Sequence, residues 1–427
     1  MKGIQAGKAG DSLVIRALSP LPAVEITNKA AQQDVIIAIE NINPDFYAAR
    51  IGQGFSPARI SVNTLEFALT INAGDTADIV PAMPSDTEDD NYVILGDSRD
   101  GYETFDTILS QVNAKNPVFV IDNGDLVYSG KPNQYRIFDE MVSGISSTLC
   151  TTLGNHDVRG SGRATYVKLY GPEYYSFDYG ENHFIFLDSS RGFTQEQAIP
   201  DEQYAWFERD LQKAQGKRIY VVSHVPPTDP RAGIEPNEIL AYTDKVKKEG
   251  GYIEQKLEAY ADNENLDHGF ISKKEAEKFE TLLAKYHVTT AYFSHIHSYF
   301  DYEKSGVRYV ISGGAGAELM TRNSYYHYLI AKAGAKDTLT MVQLPSPANL
   351  ILQRYGATIT LFAQAAYREN RAAVLLLKAG LYLLAALVLI LLYLKFETRL
   401  AAFWVLMRDT GRYMGKRYKE LFKLKQN

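Results

Sequence analysis

Gly154-Asn155-His156-Asp157 is the stretch of this chain whose residue types point most directly to chemistry. It follows residues 148–153, an apolar run rich in β-branched residues, and such a run predicts a buried strand with polar side chains at its C-terminal end. Ligands bind at that end of the strands in open α/β sheets. Asn and Asp also favour turns for reasons of their own, so an Asx turn is an equally good interpretation of this stretch taken alone.

Polar side chains also follow several other apolar runs between residues 91 and 342. Helical patterns separate the first of these runs, and strands that alternate with helices form a parallel sheet with right-handed crossovers. The carboxyl ends of such strands meet at one edge, so side chains far apart in sequence are brought together. The residues expected at this edge are Asp97, Asp125, Asn155, His224, His295 and His297, with Tyr128 and His156 beside them.

This set of carboxylates and imidazoles suits divalent or trivalent metal ions rather than thiol-bound zinc. Six or seven ligands are too many for one tetrahedral ion and suit two ions that share a carboxylate. Two ions roughly 3.5–4 Å apart can hold a bridging hydroxide and clamp both oxygens of an in-line displacement. The set therefore predicts a dinuclear centre that hydrolyses phosphate esters.

The order of the motifs resembles the calcineurin-like metallophosphoesterases and, within them, the purple acid phosphatases. The resemblance covers residues 91–342, and it does not extend to the residues before and after them. The matching stretches, in the order of the family, are Asp97-Ser98-Arg99, Gly124-Asp125-Leu126-Val127-Tyr128, Gly154-Asn155-His156-Asp157, the isolated His224, and Ser294-His295-Ile296-His297.

The resemblance implies an α/β fold, the four-layer α/β/β/α sandwich of the metallophosphoesterases. It implies that Asp125 bridges two metal ions and that a metal-bridging hydroxide attacks phosphorus. His156, oriented by Asp157, would protonate the leaving oxygen or stabilise the charge of the transition state. By the same resemblance the first ion is held by Asp97 and His297, and the second by Asn155, His224 and His295.

Arg99 departs from the pattern of the family, because many members have a metal-binding histidine at that position and a guanidinium cannot ligate a cation. The resemblance to purple acid phosphatases implies that Tyr128 could be the missing ligand of the first site. The expected metals are of the Fe, Mn or Zn type, and a tyrosine ligand would favour Fe(III) in that site. The alternative is that Tyr128 packs on the next helix. Arg99 itself is expected to bind the substrate phosphate, with a surface salt bridge as the alternative.

Other candidates carry weaker signals. Arg159 and His268 are interpreted as ordinary loop residues, although either could face the site. Gly313-Gly314-Ala315-Gly316 lacks the Lys-Ser/Thr of a P-loop, and it is interpreted as a close backbone approach under the metal site.

The chain of 427 residues is too long for one ordinary domain, and its composition predicts several parts. Residues 1–83 predict a small all-β domain of immunoglobulin or fibronectin type, because short apolar runs alternate there with Asn, Gly and Pro clusters. An acidic linker follows at 84–90, and the catalytic domain is expected at 91–345, with an insertion at 225–271 long enough to cap the strand ends. The runs in the first part lie at 13–15, 24–26, 35–39, 49–51, 65–69 and 77–80.

The C-terminal part predicts membrane attachment. After a connector at 346–372, a transmembrane helix is predicted at 373–395. Within it, residues 374–394 are interrupted only by Lys378 and are long enough to cross a hydrocarbon core of about 30 Å. The tail at 396–427 is basic and amphipathic. From Lys395 to the end there are nine basic and three acidic residues, a net charge of +6, so the remainder of the chain, which totals −6, carries −12.

The positive-inside rule places this tail in the cytoplasm and the catalytic domain on the other side of the membrane. Residues 1–13 lack the apolar core of a signal peptide, so the expected topology requires a start further upstream; the alternative is a tail-anchored chain with a cytoplasmic catalytic domain. The single cysteine, Cys150, lies on a predicted buried strand and is expected to be a small core residue.

These observations predict a membrane-anchored, dinuclear-metal phosphoesterase that hydrolyses phosphate mono- or diesters. Its partners would be the phosphate-ester substrate and the lipid bilayer, and the position of the basic tail after an apolar helix argues against nucleic acid. The alternative is a catalytically degenerate scaffold or binding protein on the same fold, supported by Arg99 alone. The presence of His156 and the three distal histidines favours the enzyme.

Overall fold

The structure is a computed structural model that describes residues 4–9, 12–52, 54–87, 89–190, 197–233, 268–320, 324–334, 338–345 and 371–424. The chain divides into two compact units, Met1–Leu361 and Phe362–Asn427. The greater part of the predicted capping insertion, residues 234–267, lies outside the described residues, as do residues 346–370 of the predicted connector.

The described part of the first unit contains 18 strands, six α-helices and one turn of 3-10 helix at Pro230–Gly233. The strands are β1 Ile4–Ala9, β2 Ser12–Ala17, β3 Val24–Thr27, β4 Gln33–Glu40, β5 Ala58–Ser61, β6 Thr64–Ile71, β7 Thr76–Ile79, β8 Asn91–Leu95, β9 Phe119–Asp122, β10 Thr148–Thr151, β11 Tyr175–Tyr179, β12 Asn182–Leu187, β13 Arg218–Ser223, β14 Thr290–Phe293, β15 Tyr299–Lys304, β16 Val307–Ser312, β17 His327–Lys332 and β18 Leu339–Gln343. The helices are α1 Pro44–Ala48, α2 Tyr102–Lys115, α3 Pro132–Val142, α4 Gly162–Tyr170, α5 Asp201–Lys213 and α6 Lys273–Lys285.

Two mixed sheets form the centre of this unit. The first has the strand order β10-β9-β8-β17-β18, and the second has the order β11-β12-β13-β14-β16-β15. Strands β8, β9 and β10 are parallel to one another, as are β12, β13, β14 and β16. The loops that follow these parallel strands therefore lie at the carboxyl edge of each sheet, where the sequence placed the functional residues.

Aromatic side chains fill the space between the two sheets. Tyr92 of β8 stacks on Phe119 of β9 at 5.0 Å and meets Phe184 of β12 edge-on at 5.2 Å, and its hydroxyl lies 2.9 Å from that of Tyr292. On the outer faces, α2, α3 and α4 share a core with the first sheet, and α5 and α6 share one with the second. The result is a layered α/β/β/α sandwich, and the predicted mixed α/β fold is confirmed.

The central parallel strands are buried on both faces, as expected for sheets covered by helices on one side and by another sheet on the other. In β9, Phe119 and Ile121 pack between the sheets while Val120 packs toward the helices. Because both faces of these strands are buried, their sequences are continuous apolar runs rather than amphipathic patterns.

The N-terminal region is mostly β, but it differs from the prediction in several elements, because β1, β5 and α1 were not predicted. It forms a five-stranded sheet, β1-β2-β4-β6-β5, and a two-stranded sheet, β3-β7. The predicted strand at 49–51 was wrong, because these residues form the turn after α1, whose start is set by Pro44 in its first turn and by the side chain of Asn43, which accepts a hydrogen bond from the Phe46 N–H. The immunoglobulin or fibronectin type is not confirmed.

The N-terminal region packs directly against the sandwich. Its core residues, among them Ile37 and Phe67, belong to the same apolar cluster as Tyr92 and Phe119. Asn41 pairs with the backbone of β10, where its Oδ1 accepts from the Leu149 N–H and its Nδ2 donates to the Leu149 carbonyl, both at 2.9 Å. The boundaries of the predicted domains, including the linker at 84–90, stay predictions.

The second unit is described by one long helix, α7, at Arg371–Leu424. Within it, Lys378–Phe396 is an apolar window of 19 residues with a mean hydropathy of 2.2, and none of that window is buried. At 1.5 Å per residue the window is about 28 Å long, which is the thickness of a bilayer core. By length and composition this segment is compatible with a single membrane span.

Candidate metal centre

The loops at the carboxyl edge of the two sheets hold their functional side chains in tight turns. Asp97, Asp125 and His295 have left-handed backbone conformations, with φ of 62°, 56° and 66°, and Arg99 has φ of 25°. Such conformations are unfavourable for residues other than glycine and concentrate at functional sites. They turn each chain sharply at the end of its strand, so that the side chains converge between the sheets.

Asp97, Asp125 and His297 form a compact group whose candidate ligand atoms all lie within 4.8 Å of one another, and all three residues are buried. Oδ1 of Asp97 lies 3.4 Å from Nε2 of His297. The other oxygen of Asp97 accepts a hydrogen bond from the His295 N–H at 2.9 Å, which fixes the orientation of the carboxylate.

A second group surrounds the same Asp125. Nδ1 of His224 donates to the carbonyl of Asn123 at 2.7 Å, which fixes the tautomer and leaves the lone pair of Nε2 facing Oδ1 of Asp125 at 3.4 Å. That same Oδ1 accepts from the His156 N–H at 3.0 Å. Asn155 and His295 are also buried at this edge.

Three buried atoms in these groups have no hydrogen-bond partner in the described part of the chain: Oδ1 of Asp97, Oδ1 of Asn155 and Nε2 of His224. Leaving a buried polar atom unsatisfied costs about 1–3 kcal/mol, so three such atoms around one carboxylate require an explanation. All three offer lone pairs, and oxygen and imidazole donors of this kind bind first-row metal ions. The residues present therefore fit metal ions.

The charges around Asp125 keep it ionised. Burial alone would raise the pKa of this carboxyl, but His156, His224 and Arg99 together lower it well below its usual range. Burial lowers the pKa of His295 well below its usual value, and the neighbouring His224 and His268 lower it further, so that this imidazole is held neutral. A neutral imidazole and an ionised carboxylate are the protonation states in which both groups can bind a cation.

Arg99 lies inside the first group and is only 7% exposed, so a surface salt bridge does not describe it. Nη2 of Arg99 donates to Nε2 of His297 at 2.9 Å and to the Glu318 carboxylate at 3.2 Å. Nη1 donates to Nε2 of His156 at 2.9 Å, and Nε lies 3.9 Å from Oδ2 of Asp125. The guanidinium thus contacts both a candidate metal ligand and the candidate acid.

His156 is held between two arginines. Its Nδ1 donates to the Tyr128 carbonyl at 2.6 Å, and its Nε2 accepts from Arg99 and from Nη2 of Arg159, each at 2.9 Å. Burial, together with the charges of Arg99 and Arg159, lowers the pKa of His156 to about 4. Arg159, interpreted as a loop residue from the sequence, is therefore part of this constellation.

Asp157 does not orient His156 in the way that the sequence suggested. Its Oδ1 accepts from the Val127 N–H at 3.0 Å and its Oδ2 from the Gly154 N–H at 2.8 Å. In the described part of the chain these backbone groups, and not the imidazole, are the hydrogen-bond donors to its carboxylate. Asp157 ties together the two loops that carry Asp125 and Asn155, a role that sequence could not reveal because those loops meet only in the fold.

Tyr128 is 44% exposed, unlike the buried candidate ligands. Its ring lies 5.3 Å from that of His156, and the guanidinium of Arg99 lies 5.7 Å from its centroid. The ring therefore forms part of the rim of the site, and its role as a metal ligand stays a prediction.

Two further residues reach the site without a clear signal in the sequence. Nδ1 of His268 lies 3.3 Å from Nε2 of His295, although His268 was interpreted as an ordinary loop residue. Glu318 binds Arg99 through its carboxylate, and its carbonyl accepts from Nδ1 of His297 at 2.5 Å. The position of Glu318 shortly after Gly313-Gly314-Ala315-Gly316 was the one available hint, because a glycine-rich turn brings the backbone close to the site.

Two glycines allow this close approach. A Cβ at Gly154 would lie 2.2 Å from both N and Oδ1 of Asp125, and a Cβ at Gly313 would lie 2.6 Å from Oδ2 of Asp97. No side chain fits at either position without moving a candidate ligand. The interpretation of the Gly313 turn as a close approach under the site agrees with this geometry.

Comparison with known proteins finds a family model that matches the part of the chain that carries most of this site. The model of the calcineurin-like phosphoesterase family matches residues 91–299, the family that the order of the motifs predicted. The family binds divalent metal ions in a dinuclear centre, and it includes inactive members. The family assignment supports metal-dependent hydrolysis of phosphoesters.

One curated relative is the glycerophosphodiester phosphodiesterase GpdQ of Enterobacter lignolyticus (strain SCF1), which is 27% identical over 130 residues. The match covers 28% of this chain and 46% of that protein, less than half of its length. Among solved structures, a purple acid phosphatase from yellow lupin (Lupinus luteus) seeds is 15% identical with a TM-score of 0.44, covering 80% of this chain and 66% of that one. A dimetal phosphatase from Danio rerio is 11% identical with a TM-score of 0.39, covering 61% and 100%.

Proposed function

We propose that this protein is a membrane-anchored phosphoric ester hydrolase with a dinuclear metal centre at the carboxyl edge of its two sheets. The observation that carries the proposal is the set of three buried, unpartnered donor atoms on Asp97, Asn155 and His224 around Asp125. A protein without a bound cation would gain nothing from keeping these atoms unsatisfied, since each costs stability. The match of this region to the calcineurin-like phosphoesterase family supports phosphate esters as the substrate class.

The ligands divide into two sets that share Asp125. Asp97 and His297 would hold one ion, with Tyr128 as a further candidate, and Asn155, His224 and His295 would hold the other. When bound, such ions lower the pKa of a water nucleophile and stabilise the charge that develops on phosphorus-bound oxygens.

The arginines act on the substrate. Arg99 and Arg159 approach Nε2 of His156 from two directions, each at 2.9 Å, so two guanidinium groups are concentrated at one point of the site. Guanidinium groups bind phosphoryl oxygens in a bidentate manner. We propose that His156 holds both arginines toward the phosphoryl group, and that it provides the protonatable group nearest to the leaving oxygen.

Substitution of the shared carboxylate tests the proposal. Asp125→Asn should abolish metal binding and lower hydrolysis of p-nitrophenyl phosphate and bis(p-nitrophenyl) phosphate by more than about 100-fold, since even residues behind the ligands contribute roughly 10–100-fold. The control is Asp301→Asn, which removes a carboxylate paired with Arg308 on an edge strand. If the unchanged protein binds no metal and turns over neither substrate, the enzyme proposal is wrong and the scaffold alternative replaces it.

We propose that Lys378–Phe396 anchors the protein in a bilayer, because this window is apolar, exposed and of spanning length. The basic residues that follow it favour the cytoplasmic side, which puts the hydrolase domain on the opposite side. The full chain should float with liposomes and resist alkaline carbonate extraction. Recovery in the carbonate supernatant would contradict the anchor, and protease digestion of intact cells distinguishes the two orientations.

A further inference from the structure

Arg99 makes the two halves of the proposed metal centre unequal. In the half formed by Asp97 and His297, a permanently charged side chain already contacts a candidate ligand, because Nη2 of Arg99 lies 2.9 Å from Nε2 of His297. In the other half, Oδ1 of Asn155 and Nε2 of His224 have no hydrogen-bond partner among the described residues. Each half thus has one open carboxylate or amide oxygen, since Oδ1 of Asp97 is also unpartnered, and one imidazole whose Nε2 is in contact, since Nε2 of His295 lies 3.3 Å from Nδ1 of His268. The halves differ because the group on His297 carries a permanent positive charge and because Nε2 of His224 is open.

The competition at His297 is direct. Nδ1 of His297 donates to the Glu318 carbonyl at 2.5 Å, and a carbonyl only accepts, so Nδ1 carries the proton and Nε2 is the single lone pair of the ring. A metal ion needs that same lone pair, which Arg99 now occupies. Binding of an ion by His297 therefore requires Arg99 to release it.

Arg99 is held in place from several sides. Its guanidinium also contacts the Glu318 carboxylate at 3.2 Å and His156 at 2.9 Å, and its backbone N–H donates to the Asp125 carbonyl at 2.9 Å. The side chain is buried, so its charge is poorly screened by solvent. Repulsion between this charge and an incoming cation adds to the loss of the hydrogen bond to His297.

We infer that the two ions bind in order and with different affinity. The set of Asn155, His224 and His295 with Asp125 binds the first ion tightly, and the set of Asp97 and His297 binds the second only after Arg99 has withdrawn from His297. This inference rests on the proposed metal centre and deepens it, since it makes Arg99 the residue that controls occupancy of the second ion. The withdrawn guanidinium is then available to the substrate.

Equilibrium dialysis of the full chain against Mn²⁺, with metal content measured by inductively coupled plasma mass spectrometry, tests the order. The expected isotherm has two steps, with dissociation constants that differ by more than about tenfold, because each additional unit charge within a few Å weakens cation binding by at least that factor. Asp97→Asn should remove the weaker step, and Asn155→Ala the tighter one. Two steps of equal affinity in the unchanged protein would overturn the inference without any variant.

Substitution of Arg99 tests whether this residue causes the weaker binding of the second ion. Arg99→Gln removes the charge and should tighten the weaker step by about tenfold, and Arg99→His, which adds a lone pair, should tighten it further. The matched comparison is Arg159→Gln, which removes a second guanidinium that contacts His156 at the same 2.9 Å, whereas Arg99 also contacts His297. It should change the weaker step much less than Arg99→Gln does, because its hydrogen bond is to His156 and not to His297.

The outcomes separate this inference from the proposed function. If Arg99→Gln leaves the weaker step unchanged, or if Arg159→Gln tightens it equally, Arg99 does not control the second ion although the protein still binds metal. If no protein in the series binds Mn²⁺ at all, the proposed metal centre itself is wrong. Thermal unfolding of each variant confirms that the folded protein is being measured.

Discussion

The two ends of the second sheet use buried histidines in opposite ways. Near the N-terminal end of β12, Nδ1 of His183 lies 2.6 Å from the carboxylate of Asp178, and Nε2 lies 2.9 Å from that of Asp210. At the C-terminal end of β13, Nδ1 of His224 donates to a carbonyl, and Nε2 has no hydrogen-bond partner among the described residues. The residue type is the same, and the acceptors around it differ.

This difference decides what each imidazole can do. Two carboxylates can each accept a hydrogen bond from one N–H of a protonated ring, so they favour its charged form. Burial opposes this, but the hydrogen bonds and charges of Asp178 and Asp210 raise the pKa of His183 to about 9. The Asn123 carbonyl accepts a hydrogen bond from one nitrogen of His224, and the other nitrogen, which faces Asp125, has no hydrogen-bond partner among the described residues. An imidazole of the first kind stabilises the fold, and one of the second kind is prepared to bind a cation.

Substitution of each histidine by glutamine should show most clearly whether the two histidines differ in function. We expect His224→Gln to lower metal affinity and ester hydrolysis by more than about 100-fold, because it removes a proposed ligand. His183→Gln should retain metal content and activity, since His183 lies at the opposite end of the sheet. Metal analysis and p-nitrophenyl phosphate assays measure both, and equal loss in the two variants would contradict the distinction.

A smaller effect should come from Gly154, whose backbone lies against the candidate ligand Asp125. Gly154→Ala places a Cβ 2.2 Å from Oδ1 of Asp125, so we expect a loss of about 1–3 kcal/mol in the free energy of unfolding and weaker metal binding. Gly144→Ala is the matched control, because a Cβ there meets no atom within 4 Å. Chemical denaturation and metal titration of the two variants provide the measurement; similar stability of both would show that the loop tolerates the methyl group.

The smallest expected effect is a pH dependence of the free energy of unfolding, caused by His183 at the N-terminal end of β12. The pKa of His183 in the folded state, about 9, is above its ordinary value of 6.5, so its stabilisation is complete below about pH 6.5 and is lost as the pH rises through about 9. At about 1.4 kcal/mol per pKa unit, and reduced because Asp178 is half-exposed, the loss should be about 2 kcal/mol. Urea unfolding of the unchanged protein and of His183→Gln at pH 6 and pH 9.5 measures it, and a stability difference that is the same at both pH values would refute the assignment.

The sequence predicted the strands and helices of the sandwich well where burial dominates. The predicted alternation of apolar runs and helical patterns after residue 91 corresponds to β8, α2, β9, α3 and β10. Continuous apolar runs that end in polar clusters leave few alternative structures, because only a covered parallel sheet buries both faces of a strand. For the same reason the edge at which the functional residues gather was predictable.

The sequence was less informative where local and long-range effects compete. The apolar residues at 49–51 suggested a strand, but Asn43 and Pro44 upstream start a helix, a local signal that outweighs a three-residue alternation. Asp157 was assigned to His156 from its position in the motif, yet its carboxylate binds two backbone N–H groups from different loops. The contacts of Arg99 with His297 and Glu318 join residues about 200 positions apart, which no local pattern encodes.

The pairing of Asn41 with Leu149 has a consequence for chains that lack the N-terminal region. Strand β10 is the outermost strand of its sheet, and the amide of Asn41 satisfies the N–H and C=O of Leu149 as a neighbouring strand would. Without that amide, the strand leading to Asn155 would present an open hydrogen-bonding edge, to which strands of other chains readily add. A shortened chain that begins at the phosphoesterase domain would then tend to self-associate through β10, and its low solubility would conceal a chemically intact site.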